Sequence, residues 1–321
     1  MMDINRLKDT TMKNLMRNSM AVVLMSAAFY GCGNDEFIKP DYYTTDASTQ
    51  LGQSVVDGAD GYITHVKSDE ETKVMDGVTL LDMGYLNSES HAMQIYLYRV
   101  ELAPALIKMS TPDDLDKVEK VQKLTEQASA VENKGNYLVM GGISGGAFDP
   151  VTGQPVGMLY HNGKAIGSTF GKKDEHTAFF AIMKDGSAVC VESDTFEDRK
   201  SKIKEGVSGA SLILKNGYVL SDVDADIKAR SAVGVDESGS TVYLIVADGG
   251  SFFYSNGIKS SDLARLLKGA GAADAMVLDA GNNVSAFWRN ENSIDMFEVI
   301  NRPSNMGLEA EIGNGIFILQ Q

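Results

Sequence analysis

Cysteine is nearly absent, with two in 321 residues. That is too few for a disulfide framework, and no paired Cys/His spacing suggests structural zinc. Basic residues are scarce beside acidic ones, 29 Lys and Arg against 44 Asp and Glu. The resulting net charge of −15 repels a phosphate backbone, so nucleic acid is not an expected partner. Long apolar runs are missing: Met20 to Tyr30 has 11 residues, too short to span a bilayer. Six prolines and no low-complexity stretch leave no linker between domains. No internal repeat of 20 to 50 residues stands out. A hydrophobic share of 43% with 23% charged residues excludes disorder and collagen-like sequence and describes a chain that buries a large core.

The short apolar run follows Lys13 and Arg17 and has the length of a signal-peptide core. Met12 offers an alternative start that gives a compact basic segment. Small Gly31 precedes Cys32, and Phe29-Tyr30-Gly31-Cys32 resembles a bacterial lipoprotein signal. That resemblance implies cleavage before Cys32, its lipidation, and attachment to the cell envelope. A plain secretory peptide with an incidental cysteine is the other reading. Acidic residues after Cys32 (Asp35 and Glu36) resemble signals that direct lipoproteins of some Gram-negative gut bacteria to the outer surface. Residues 1–31 hold Arg6, Lys8, Lys13 and Arg17 against Asp3 and Asp9, so their removal takes the net charge from −15 to −17. Cys190, inside the apolar stretch Ala188 to Val191, reads as a buried small hydrophobe.

Three regions follow: residues 1–31 as the lipoprotein signal, 32–75 as a tether with irregular or strand-like pieces, and 76–321 as a single folded domain. Met93 to Leu102 reads as a strand. A helix is expected from Thr111, with Pro112 in the first turn, Asp113 and Asp114 suiting the dipole, and an apolar stripe at Leu115, Val118, Val121, Leu124, Ala128 and Val131. Hairpins are expected at Asn162-Gly163, Asp185-Gly186 and Asn216-Gly217, with a further turn at Asp236 to Gly239 before the strand Thr241 to Ala247. A second helix begins at Ser260 or Ser261 and stops at Gly269, leading into the strand Ala275 to Leu278. The fold class is α+β, a hairpin-rich and mainly antiparallel or mixed sheet packed by a few helices.

The chain has no Walker A loop, no Gly-x-Ser-x-Gly elbow and no His-Glu-x-x-His, so no cofactor is expected. The histidines His65, His91, His161 and His176 are scattered, and His161, beside a turn, reads as a surface residue. No metal site is assigned, although Asp222 to Asp226 offers an acidic loop that can take Ca²⁺ incidentally. Trp288 suits either a sugar face or the core. Three segments carry possible chemistry. Glycines in Gly141-Gly142-Ile143-Ser144-Gly145-Gly146-Ala147-Phe148-Asp149 allow either close packing or backbone N–H groups facing an anion. Arg230, in Lys228-Ala229-Arg230-Ser231-Ala232-Val233-Gly234, is either a fork for phosphate oxygens or part of an edge ion pair. Asp279, in Leu278-Asp279-Ala280-Gly281-Asn282-Asn283, either caps its loop or acts as an acid, base or nucleophile.

In order and spacing these segments resemble the phosphodiester glycosidase family over roughly Val74 to Ile318. Ile143 to Asp149 stands where that family shows an Asn-Gly-Gly-Phe-Phe-like segment. Gly153-Gln154-Pro155-Val156-Gly157 follows, then Ser208-Gly209, then Ala229-Arg230-Ser231-Ala232-Val233-Gly234 in place of Ala-Arg-Thr-Ala-Ile-Gly. Ala247-Asp248-Gly249 and Asn256-Gly257-Ile258 come next, and Val277 to Asn283 matches Asn-Leu-Asp-Gly-Gly-Gly-Ser. Asn301-Arg302-Pro303-Ser304 and Ile312-Gly313-Asn314 resemble bacterial members. Ser144, Ala147 and Ala280-Gly281-Asn282-Asn283 depart from the pattern, and a Cβ at Ala280 or Asn282 conflicts with any positive-φ role that glycine filled.

The resemblance implies a cell-envelope hydrolase of a sugar-1-phosphodiester or related glycosidic linkage. In it Arg230 holds the phosphate, and Asp279, with Asp248 or Asp149, acts at the anomeric carbon. Ser144, Gly145, Gly146, Ser208, Gly209, Gly281, Asn282 and Asn283 complete the substrate site. The altered glycine loop supports a second reading, a glycan-binding surface lipoprotein that keeps the fold without turnover.

Overall fold

The computed structural model describes residues 44–135, 137–167, 177–221 and 224–320. The signal segment with Cys32, His176 and Asp222 lie outside the described residues.

An eight-stranded antiparallel sheet forms the centre. Its order is Ile63–Met75, Val78–Asn87, Ala92–Glu101, Thr241–Ala247, Arg230–Val235, Asp274–Ala280, Ser211–Lys215 and Tyr218–Val219. Alternation sends successive side chains to opposite faces. One face (Tyr243, Ile245, Ala247, Ala232, Ala275 and Val277) packs under two helices. These are α1 (Gln50–Gly58), through Leu51 and Val55, and α3 (Ser260–Ala270), through Leu263, Ala264, Leu266 and Leu267. The other face (Val242, Leu244, Val246, Val233 and Met276) meets residues from two five-stranded antiparallel sheets. The first is built on Ala178–Met183 and Ile203–Gly209, the second on Leu138–Ser144 and Gly315–Gln320. Helix α2 (Leu124–Lys134) covers the far side of the second with Leu124, Ala128 and Val131. The architecture is the α+β, hairpin-rich fold expected.

The hairpins fall where the turn residues place them. Asn162 and Gly163 (φ 53° and 77°) and Asn216 and Gly217 (φ 49° and 76°) take the left-handed pairs that a tight hairpin needs. The strand Thr241–Ala247 has the expected bounds. Helix α3 begins at Ser260 and runs past Gly269 to a left-handed Gly271. Cys190 is buried in the core, and burial pushes its thiol pKa well up, as a structural hydrophobe requires.

Three expectations differ. The segment 44–75 is largely regular: α1 is followed by the 13-residue strand Ile63–Met75. Its acidic residues, which sequence patterning reads as loop, hold the helix start. Asp69 accepts from the N–H groups of Ser48 (2.9 Å) and Thr49 (2.6 Å), and Glu71 accepts from Leu51 (3.1 Å). Carboxylates are favoured at a helix N-terminus. The strand lies at the sheet's edge, with Lys67, Glu70, Glu71 and Lys73 exposed.

Residues after Thr111 form only a short turn at Pro112–Asp114, with Asp113 and Asp114 at φ 55° and 51°. The helix of that stripe starts at Leu124. Tertiary ion pairing overrides local propensity here. Asp114 lies 3.2 Å from Lys108 and 2.8 Å from His161, while Asp116 reaches the other His161 nitrogen at 3.0 Å.

His161 is correspondingly no surface residue but fully buried. Lys108 Nζ lies 2.9 Å from its Nε2 and 2.9 Å from Asn162 Oδ1. Buried Glu205 accepts from the N–H groups of Met109 and Asn162 beside them. The network joins the turn to two sheets, so the polar groups are buried with partners.

Candidate active site

Strand register carries three charged residues to one end of the central sheet. Arg230 opens its strand and pairs with Ala247 on one side and Ala280 on the other. Asp248 and Asp279 therefore stand at the exits of the two flanking strands. Arg230 shares the helix-side face with its partner Ala247, and Asp248, one residue on, turns to the opposite face. The three residues share an edge without forming one cluster.

Asp248 is 1% exposed. One oxygen accepts from Asn301 Nδ2 at 2.8 Å, and the other from the Arg302 N–H at 2.8 Å and the Tyr254 hydroxyl at 3.1 Å. Burial raises its pKa above the usual carboxylate range, and these donors pull it partly back. Tyr254 also meets the Tyr96 hydroxyl at 3.2 Å, and the Arg302 guanidinium lies over its ring at 5.6 Å. Asn301 Nδ2 donates to Val284 O at 3.2 Å, which connects this cluster to the loop after Asp279.

Asp279 is half-buried and accepts from the Ala280 N–H at 2.7 Å and from Asn283 Nδ2 at 3.2 Å. Burial raises its pKa, opposed by those bonds and by the Lys228 charge. Two accepted bonds leave lone pairs free on a carboxylate. The loop behind it answers the concern about lost glycines. Gly281 alone in the loop is left-handed (φ 81°), Ala280 is extended (φ −147°), and neither Asn282 nor Asn283 takes a positive φ. The one position that needs glycine still has it, with Asn282 exposed and Asn283 turned onto the carboxylate.

Arg230 takes the ion-pair reading. Only 1% exposed, it donates from Nε to Ile258 O at 2.8 Å and from Nη2 to Asp226 O at 2.8 Å, with Asp224 Oδ2 at 2.9 Å. The guanidinium ties the 224–226 segment to the start of α3 and does not stand open for phosphate.

The glycine segment takes the packing reading. Gly145 and Gly146 spend their N–H groups on Asn314, at the backbone oxygen (3.1 Å) and Oδ1 (2.8 Å). A Cβ on Gly146 would lie 2.3 Å from Ser208 O, so glycine is required by close approach. Ser208 exchanges two bonds of 2.8 Å with the Met158 backbone. Ser144 Oγ accepts from the Ser285 N–H at 3.3 Å. Gly209 abuts Val277 O, 2.3 Å from where a Cβ would sit. Ser144, Gly145, Gly146, Ser208 and Gly209 are thus brought together as a buried seam. Asp149 stands apart: it is exposed and caps its own turn through Val151 and Thr152, both at 2.9 Å.

Asp279, its loop, Tyr254 and Arg302 reach solvent at this end, as do Phe252, Phe253 and Lys228. Sequence reasoning placed Asn301 and Arg302 among family-like residues without giving them a role, and Tyr254 carried no signal. A groove of about 730 Å³ lies elsewhere, between α2 and Phe297–Val299, and neither Asp248 nor Asp279 lines it. Its lining includes Glu309, whose pKa burial also raises and which accepts from the Thr125 N–H and hydroxyl, whereas the two carboxylates singled out by sequence, Asp248 and Asp279, lie at the other end. Among the described residues, no group of three His, Cys, Asp or Glu side chains is placed to hold a metal ion.

The fold has solved counterparts. The catalytic domain of zebrafish N-acetylglucosamine-1-phosphodiester α-N-acetylglucosaminidase, auto-inhibited by its pro-peptide, matches with a TM-score of 0.58 and 17% identity over 79% of this chain and 88% of that one. A hypothetical protein from Synechocystis matches at 0.54 and 10% identity, over 79% and 64%. A putative exported protein from Burkholderia pseudomallei matches at 0.52 and 11%, over 71% and 74%. At these identities the likeness is one of fold. No curated protein sequence matches the chain. The phosphodiester glycosidase family model matches residues 137–319, more than half of the chain, and includes Asp248, Asp279 and Arg302. The chain therefore belongs to the phosphodiester glycosidase family.

Proposed function

We propose that the protein hydrolyses a sugar-1-phosphodiester or a related glycosidic linkage at the mouth formed by Asp279, its loop and the Asp248 cluster. The observation that carries this reading is the half-buried Asp279, which is raised in pKa and keeps lone pairs free beside solvent. In the proposed step the Asp279 carboxylate takes a proton from water as the water oxygen bonds to the anomeric carbon. The bond from that carbon to the phosphate oxygen breaks, and the phosphate monoester leaves. A phosphate leaving group needs little protonation, so the demand falls on water activation. Asp248, with three donors on its oxygens, holds Asn301, Tyr254 and Arg302 in place. Asn282 and Asn283 lie within the loop that meets the sugar.

The test is hydrolysis of a panel of sugar-1-phosphodiesters by the purified protein. Release of free sugar from at least one substrate is expected. Glycan binding without cleavage across the panel would shift the reading to a non-catalytic glycan-binding relative.

The same proposal places the protein in the cell envelope, anchored through a lipid on Cys32, supported by the basic segment, the short apolar run and Gly31-Cys32. Cys32→Ser is expected to move the protein from the membrane fraction to the soluble exported fraction. Retention on the membrane by that variant would refute the anchor.

A further inference from the structure

We infer that Arg302 binds the anionic phosphate of the substrate, the role that the family resemblance implies for Arg230; this rests on the hydrolase reading above. The other cations near the mouth are already paired. Arg230 meets Asp224, Lys228 lies 3.1 Å from Asp224 and 3.6 Å from Asp226, and Lys259 lies 3.3 Å from Glu89. Arg302 is exposed and, among the described residues, has no carboxylate within ion-pair distance. Its backbone N–H bonds Asp248, while its guanidinium rests over the Tyr254 ring, so its side-chain donors stay free.

Two physical features make this arrangement suit phosphate. The planar fork of arginine matches two phosphate oxygens, and stacking on an aromatic ring restrains it before a ligand arrives. A chain of net charge −15 also repels an anionic substrate at long range. An unpaired arginine beside Asp248 offsets that repulsion locally. Tyr254 is a positioning residue in this scheme: its ring supports Arg302 and its hydroxyl fixes Asp248.

The experiment compares wild type with Arg302→Ala and Arg302→Lys on a sugar-1-phosphodiester and on the matching neutral aryl glycoside. Charge-assisted bonds of this kind predict a rise in KM for the phosphodiester of about 10- to 100-fold in Arg302→Ala. The lysine variant should fall between, and kcat/KM for the neutral glycoside should hold. Equal losses on both substrates, or no change on either, would overturn the assignment. If wild type cleaves neither substrate, the hydrolase reading fails by itself, and calorimetric titration with N-acetylglucosamine 1-phosphate still decides on Arg302. Binding by wild type that is lost in Arg302→Ala upholds the site, and no binding by wild type removes it.

Discussion

Asp279→Asn is expected to lower kcat by about 10³-fold, the scale of a lost general base, while the protein keeps its fold. The amide oxygen still accepts from the Ala280 N–H, and a flip of the Asn283 amide lets its oxygen accept from the new NH2 group in place of the lost bond. In wild type, burial holds the Asp279 carboxyl above the ordinary aspartate range, and the group must be ionised to take a proton. Activity should therefore rise with pH through that elevated pKa, and the variant should lose this limb of the profile. The stability effect has a definite sign. A carboxyl whose folded pKa is raised binds its proton more tightly in the native state. Its stabilisation is present below the unfolded pKa and is lost as pH rises through the folded pKa. Asn carries no such charge, so at neutral pH the variant should melt no lower than wild type. A kcat within a few-fold of wild type in a folded Asp279→Asn protein would remove Asp279 from the chemistry.

Arg230→Ala should fail in the opposite way. Its side chain bridges two backbone carbonyls and Asp224 from a fully buried position. Truncation leaves those acceptors unmatched, at a loss of about 3 kcal/mol of stability, the scale for breaking a buried charged pair. A urea midpoint shifted downward with an unchanged slope would record it. Activity per folded molecule should fall less than in Asp279→Asn, because the Arg230 donors are taken by Ile258 O, Asp226 O and Asp224. If the variant melts like wild type yet loses phosphodiester affinity, Arg230 rather than Arg302 is the phosphate ligand.

The contrast between these two residues shows what the sequence could convey. Turn chemistry at Asn162-Gly163 and Asn216-Gly217, the bounds of Thr241–Ala247 and the start of α3 are local, and local patterns found them. Asp279 was recognisable because a carboxylate at the end of an apolar strand is itself a local feature. The sequence leaves Arg230 open between a phosphate fork and an ion pair, and its partners at Asp226 and Ile258 become visible only when loops from both sides close on it. The same holds for His161, whose burial depends on Lys108, Asp114 and Asp116 arriving from elsewhere in the chain. Residues 44–75 look polar because their carboxylates serve a helix end and an exposed strand edge. Tyr254 and Arg302 meet only because both are bonded to Asp248, a contact with no signature in linear spacing.

The strand Ile63–Met75 ends one side of the central sheet, bridged on its outer edge by Thr44 at Val66, and an open strand edge ordinarily invites another chain to add to it. Here Lys67, Glu70, Glu71 and Lys73 project from that edge, and docking a second copy in register would require stripping several charges of water. The charged border therefore discourages edge-to-edge growth through this strand.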